Sequence, residues 1–132
     1  MVRGTKKRPR QSKLRDSHIR SALLGELEAR FPSEDDDLIL QEFACKAARI
    51  DIAVVNGALH GFEIKSDCDS LDRLSTQIAE YGKIFDFVTL VAGRKLLDYG
   101  KATIPKWWGV MLATGDADRA LNLVGRGRFE LP

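Results

Sequence analysis

Residues 49–67 read RIDIAVVNGALHGFEIKSD, and the fold turns on how this stretch doubles back. Two apolar, β-branched runs, residues 49–55 and 59–66, flank Asn56-Gly57, a pair that marks a hairpin. Period-two alternation sets Ile50, Ile52 and Val54 on one face of the first strand, and Asp51, Ala53 and Val55 on the other. On the second strand Phe62 and Ile64 share one face, while Glu63 and Lys65 project together from the other. Register decides whether the polar residues meet. A two-residue turn pairs Val55 with Ala58, sets Asp51 opposite Phe62 and keeps it off the face of Glu63. A three-residue loop with a bulge gives the even register and puts Asp51, Glu63 and Lys65 on one face. The bulged hairpin is the expectation.

Outward from this hairpin the chain alternates helix and strand. A helix is expected to start near Asp16 or Ser17, both good N-caps, and to run to about Arg30, with Ile19, Leu23, Leu24 and Leu27 at helical spacing and Pro32 marking its end. The acidic residues 34–37 read as a solvated loop, and residues 38–43 as a strand before the hairpin. A second helix is expected from Ser70 as N-cap to Phe85, striped by Leu71, Leu74, Ile78, Tyr81 and Phe85. Residues 87–92 form a continuous apolar run, as a buried strand does. Residues 94–103 suit a short helix, and residues 108–113 and 121–124 two more strands. This order predicts an α/β fold with a mixed sheet flanked by helices. The domain plan is a basic arm over 1–15, one domain over 16–125 and a loose tail over 126–132.

Composition narrows the function. The chain has 132 residues, 21 Lys+Arg and 19 Asp+Glu, for a formal net charge of +2. Seven of the basic residues (Arg3, Lys6, Lys7, Arg8, Arg10, Lys13 and Arg15) fall within the first 15, where no acidic residue occurs. The remaining 117 residues hold 14 basic against 19 acidic side chains, a net of −5. A basic arm therefore precedes an acidic body. A hydrophobic content of 44% argues against wholesale disorder. No apolar run approaches the roughly 20 residues that span a bilayer, so no membrane is expected. The N-terminal charges lack the apolar segment of a signal peptide, and a cytoplasmic protein is the expectation. Cys45 and Cys68 form no C-x-x-C pair, and His18 and His60 stand apart, which disfavours a disulfide scaffold or a zinc site.

Two carboxylates and a lysine on one hairpin suit phosphodiester hydrolysis. Magnesium prefers oxygen ligands and is held by one or two carboxylates plus substrate phosphate. A lysine beside them can position water or offset developing charge. An Asp in the middle of IDIAVV is also an unfavourable strand residue that calls for a reason. The plain alternative for Asp51 is a strand-edge or turn carboxylate paired with Arg49 or Lys65, and for Glu63 and Lys65 a solvated strand face.

Asp51, a hairpin turn and Glu63-Ile64-Lys65 resemble the core of the PD-(D/E)XK nuclease superfamily. Gln77 and Tyr81 on the following helix match the Q-x-x-x-Y spacing of RecB-like nucleases. Ile50 stands where many members have Pro. The string from Arg49 to Gly93, with Trp-Trp-Gly at 107–109, is similar to small bacterial proteins grouped in that superfamily, and the resemblance covers about residues 16–113. It implies a restriction-endonuclease-like α-β-β-β-α-β core and Mg2+- or Mn2+-dependent cleavage of nucleic acid, most often DNA. Asp51, Glu63 and the Ile64 carbonyl would bind metal, Lys65 would serve the attacking water, and Gln77 and Tyr81 would support the site. A further carboxylate is expected from an earlier element. Glu42 is the first choice, with Glu28 and Glu26 as competitors. A homodimer or a protein partner is also in keeping with so small a nuclease.

Around this core, Lys6, Lys7, Arg8, Arg10 and Lys13 of the arm, and Arg73 on the helix flank, are candidate phosphate contacts. Ser66 is placed to orient a ligand, and Asp67 and Asp69 to shape the turn before the helix. Trp107 and Trp108 either stack on bases or close the core, the second being commoner for adjacent aromatics after Pro. The rival to catalysis is a catalytically silent nucleic-acid- or partner-binding module of the same fold, or a nuclease subunit active only in a complex.

Overall fold

In the structure, a computed structural model, Val55 pairs with Leu59, Val54 with His60, Ala53 with Gly61 and Ile52 with Phe62. This is the even register. Residues 56–58 form the loop, closed by the Asn56 N–H donating to the Ala58 carbonyl at 3.1 Å. Gly57 sits at φ +94°, a conformation that costs glycine nothing. The described residues are 14–32 and 36–115, with the backbone of 122–126. The expected contacts of Lys6, Lys7, Arg8, Arg10 and Lys13, half of the acidic run and the C-terminal tail lie outside them.

Nine elements are described: α1 (Asp16–Arg30), β1 (Leu38–Cys45), β2 (Ala48–Val55), β3 (Leu59–Lys65), α2 (Leu74–Tyr81), β4 (Phe87–Ala92), α3 (Arg94–Lys101), β5 (Gly109–Thr114) and β6 (Asn122–Arg126). The strands form one sheet in the order β1-β2-β3-β4-β5-β6. β1, β2 and β3 are antiparallel neighbours, β3, β4 and β5 run parallel, and β6 returns antiparallel to β5. The protein is thus α/β with a mixed sheet, and α2 and α3 are the crossovers that parallel neighbours require.

Each sheet face has its own core. On one, Ile19, Leu23 and Leu27 of α1 pack over Ile52, Val54, Phe62 and Ile64. On the other, Leu74 and Tyr81 of α2 and Leu97 of α3 pack with Ile50, Ala53, Leu90, Ala92 and Trp108. Trp108 is buried and Trp107 packs against the same cluster, so the tryptophans close the core and are not offered to bases. Gly61 lets Ile50 and Phe85 reach the strand, since a Cβ there would collide with Ile50 Cδ1 and crowd the Phe85 ring at 3.2 Å.

Several boundaries differ from expectation. The N-cap of α1 is Arg15, whose N–H donates to His18 Nδ1 at 3.3 Å. Neither Asp16 nor Ser17 caps, because Leu14 is tied to Asp67 by reciprocal bonds and the Asp16 carboxylate is engaged by Arg20. α2 starts at Leu74, not after Ser70, because residues 66–73 are taken up by turns: the Ser66 N–H donates to Asp69 Oδ2 at 2.7 Å, and the Leu74 N–H to the Leu71 carbonyl at 3.0 Å. It stops at Tyr81, where Gly82 opens a tight turn in which Ile84 and Phe85 both donate to the Tyr81 carbonyl. α3 ends at Lys101, with Thr103 and Ile104 both donating to the Gly100 carbonyl ahead of Pro105.

One expectation about faces is corrected. Ile50 does not share a face with Ile52 and Val54, for it packs with α2 while they pack under α1. The alternation breaks at Asp51. The β1–β2 ladder passes from Gln41↔Ile52 to Phe43↔Ile50 and skips Glu42 and Asp51, and the β2–β3 ladder ends at Ile52↔Phe62. Glu42 sits at φ +55°, a left-handed conformation that a Glu adopts only under constraint. The sheet therefore opens where the acidic residues lie.

Candidate active site

Asp51 fills that opening. Its Oδ2 accepts the Ile64 N–H at 2.7 Å, a bond that replaces the missing ladder contact between β2 and β3. Its Oδ1 accepts from Arg20 Nη2 at 2.8 Å, and Arg20 Nη1 donates to the Asp51 carbonyl at 3.1 Å. The same guanidinium reaches Asp16 Oδ1 at 3.0 Å through Nε and Glu42 Oε1 at 3.2 Å through Nη2. Three carboxylates from α1, β1 and β2 thus converge on one arginine. Burial pushes the Asp51 carboxyl above its ordinary value, against the Ile64 N–H and Arg20, which pull it down. Burial also opposes the charge on Arg20, yet Asp16, Asp51 and Glu42 more than offset it and hold the guanidinium more firmly protonated than usual.

Glu63 is the second centre, on β3 and only 4% exposed. Tyr81 Oη lies 2.7 Å from Glu63 Oε1 and 2.9 Å from the Arg49 carbonyl. Gln77 Nε2 donates to Glu63 Oε2 at 3.1 Å, and Lys65 Nζ stands 3.4 Å from the same oxygen. The i, i+4 spacing of Gln77 and Tyr81 brings both to one carboxylate. Burial, then the neighbouring Asp51 charge, pushes the Glu63 carboxyl up to about 8, despite Tyr81 and Lys65. The Tyr81 phenol is raised above its usual range by burial and by Glu63.

These residues line one open cavity of about 660 Å³. Asp51, Glu63, Ile64, Lys65, Glu42, Gln77 and Arg73 all contribute to its wall, and Tyr81 stands behind Glu63. Glu26 and Glu28, the alternatives to Glu42, lie on the exposed face of α1 and do not reach it. The partner of Asp51 is neither Arg49 nor Lys65 but Arg20, which sequence reasoning missed along with Asp16. The Asp16–Arg20 pair is an i, i+4 ion pair, a spacing visible in the sequence, although nothing there pointed it at Asp51. Lys46 and Arg49, also missed, line the cavity beside Ala47 in the β1–β2 turn. Ser66 serves the turn, its Oγ accepting the Cys68 N–H at 3.3 Å, and Asp67 anchors Leu14.

Outside the cavity, His60 is fully buried, stacked on Phe62 at 4.3 Å, with Nε2 2.8 Å from Thr89 Oγ1. Burial lowers its pKa to about 3, so it is a neutral core residue. Cys45 and Cys68 are free thiols. Among the described residues no three His, Cys, Asp or Glu side chains gather as a metal-binding cluster, and no helix is long and apolar enough to cross a membrane.

Fold and site together define an α/β protein with a mixed sheet, opened at β2 and β3 into a polar cavity that concentrates carboxylates, Lys65 and arginines. The family described as bacteriophage P4 protein cII matches residues 9–130, and the chain belongs to that family. It is 36% identical over 117 residues to protein cII of Enterobacteria phage P4. The match covers 87% of this chain and 44% of that protein, so the chain spans less than half the length of its relative. No solved structure matches.

Proposed function

We propose that this protein is a metal-dependent nuclease of the PD-(D/E)XK type, hydrolysing phosphodiester bonds of nucleic acid, DNA before RNA, in the cytoplasm. The observation that carries the reading is the meeting of Asp51, Glu63 and Lys65 in one cavity through the even hairpin register. The element order α-β-β-β-α-β and the contacts of Gln77 and Tyr81 to Glu63 support it.

The donor set suits Mg2+ or Mn2+. Burial and Asp51 together raise the Glu63 carboxyl to about 8, so without metal the site favours a protonated Glu63, and a hard divalent cation would favour its carboxylate. Asp51, Glu63 and the Ile64 carbonyl would hold it, with Glu42 nearby. When bound, such an ion polarises a phosphoryl oxygen and acidifies a water. Lys65 would hold that water and offset the charge that develops on the phosphate. Gln77 and Tyr81 fix the Glu63 rotamer. The basic arm adds non-specific grip on the backbone.

One observation favours a second reading, a subunit that acts only within a larger complex or a silent binding module. Both Asp51 oxygens are engaged, by Arg20 and by the Ile64 N–H. Release of Oδ1 from Arg20 is then the step a partner or metal must bring about.

The test compares wild type with Asp51→Asn and Lys65→Ala on plasmid, linear and single-stranded DNA, with Mg2+ and with Mn2+. Metal-dependent cleavage lost by at least about 100-fold in both variants is the expected result. Equal cleavage by all three proteins refutes the site. A wild type that binds DNA and cuts none of the substrates with either metal supports the second reading.

A further inference from the structure

We propose that Arg49 and Arg73 are the phosphate clamp of the cavity, seating the backbone of a nucleic-acid strand over Glu63. This deepens the nuclease reading and rests on it for the identity of the ligand. The two arginines come from different elements, Arg49 from the start of β2 and Arg73 from the residue before α2, and both line the cavity. Both are exposed. Among the described residues neither guanidinium meets a carboxylate within ion-pair distance, whereas Arg20 is saturated by three acids and Lys65 faces Glu63. Lys46, also on the wall, shares its field with Glu80. The free positive charge of this cavity is therefore concentrated in Arg49 and Arg73.

Their placement is indexed to Glu63 by short hydrogen-bonded paths. The Arg49 carbonyl lies 2.9 Å from Tyr81 Oη, which is 2.7 Å from Glu63 Oε1. The Arg73 carbonyl accepts the Gln77 N–H at 3.0 Å, and the Gln77 side chain donates to Glu63 Oε2 at 3.1 Å. Each arginine thus springs from a main-chain position held by a residue that also holds the Glu63 carboxylate. The cavity is also lined by Asp16 and Glu42, whose charges Arg20 engages, so the pull on an anionic strand comes from Arg49 and Arg73. Guanidinium groups suit phosphate because their donors form a planar fork.

A separate observation points to a ligand larger than a bare phosphate. Gln77 is 4% exposed and lines the cavity, its Nε2 is committed to Glu63, and its Oε1 has no partner. A buried carbonyl of this kind calls for a hydrogen-bond donor. A nucleotide offers both kinds of group, phosphate oxygens for the arginines and sugar or base donors for Gln77.

The test is binding of a fluorescein-labelled single-stranded DNA oligonucleotide in EDTA, followed by anisotropy across a salt series. The proteins are wild type, Arg49→Glu/Arg73→Glu, and Arg94→Glu/Lys95→Glu on α3 as a control of equal charge change. The clamp predicts at least about tenfold weaker binding for the Arg49/Arg73 variant and a salt slope shallower by about 1.4, against a markedly smaller loss for the control. Unchanged melting temperature confirms that the exposed substitutions leave the fold intact. Equal losses in the two double variants, or wild-type binding by Arg49→Glu/Arg73→Glu, overturns the clamp. Displacement by inorganic pyrophosphate as readily as by unlabelled oligonucleotide overturns the nucleotide assignment. Cleavage is scored separately with Mn2+. A protein that binds through Arg49 and Arg73 and never cuts keeps the clamp and removes the nuclease reading, whereas a protein that cuts while the variant binds normally removes the clamp alone.

Discussion

Arg20 and Asp51 meet at two points across the opening of the sheet, Nη2 at 2.8 Å from the carboxylate Oδ1 and Nη1 at 3.1 Å from the main-chain carbonyl. The helix α1 is thereby fastened to β2 at the residue where both strand ladders lapse. Arg20 also gathers Asp16 and Glu42, so it is a cation common to three acids.

Removing that cation exposes the repulsion it masks. Arg20→Met is expected to lower the unfolding free energy by about 2 kcal/mol, less than a fully buried pair costs because the side chain is 16% exposed. Arg20→Lys should recover only part of it, since a point charge cannot make the five hydrogen bonds of the fork. Chemical denaturation gives the stability. Thermal melts with and without Mn2+ should show a larger metal-induced rise in Arg20→Met than in wild type, because Asp51 Oδ1 is then free for an ion. An equal rise in both would show that Arg20 does not compete for the ion.

Glu63 ties stability to pH. Its folded value, pushed up to about 8, lies above the ordinary carboxyl value of 4.5. A raised value means the fold favours the protonated form, so this stabilisation is complete below about pH 4.5 and is lost as pH rises towards 8. Glu63→Gln keeps the shape and removes the titration. In metal-free buffer at pH 9 the variant is expected to melt roughly 5 °C higher than wild type, with the difference vanishing at pH 5. Cleavage by the same variant should be abolished.

Tyr81→Phe isolates the hydroxyl that lies between Glu63 and the Arg49 carbonyl. The ring is fully buried, so its packing survives while a buried carboxylate oxygen and a carbonyl lose their shared partner. A loss of about 1.5 kcal/mol in stability is expected. If the hydroxyl positions Glu63, cleavage should fall by roughly tenfold with substrate affinity little changed, and restoring Tyr should restore both.

The core histidine sets the acid limit. Burial lowers His60 to about 3, below the ordinary 6.5, so its contribution is complete above pH 6.5 and is lost as pH falls towards 3. The cost by pH 3 is on the order of 4 kcal/mol. His60→Leu should flatten this acid limb in a pH series of urea melts, whereas an unchanged limb would assign it to other groups.

The hairpin shows how far reading by pattern reaches. Alternation in residues 49–67 placed both strands, but the Asn56-Gly57 pair left two registers open, and the even one that β2 and β3 adopt was the expectation because it joins Asp51 to Glu63 and Lys65. The Q-x-x-x-Y spacing likewise predicted two residues of α2 on one side, and both contact Glu63. Helix ends were less legible. Ser70 and Asp16 are good caps by type, yet Asp16 is drawn away by Arg20, and the Ser66–Asp69 turn delays α2 to Leu74. Ile50 was assigned to the wrong face because strict alternation carries no sign of the break at Asp51.

By itself the sequence determined the local elements and the placing of Glu63 and Lys65 on one strand face, because strand and helix periods are properties of neighbouring residues. Only the tertiary structure decided which charges meet across elements. Arg20 and Asp51 are 31 positions apart, Tyr81 reaches Arg49 over 32, and Arg73 enters the same cavity from the start of α2. Those meetings follow from packing helices on both faces of a twisted sheet, a long-range arrangement that no local period encodes.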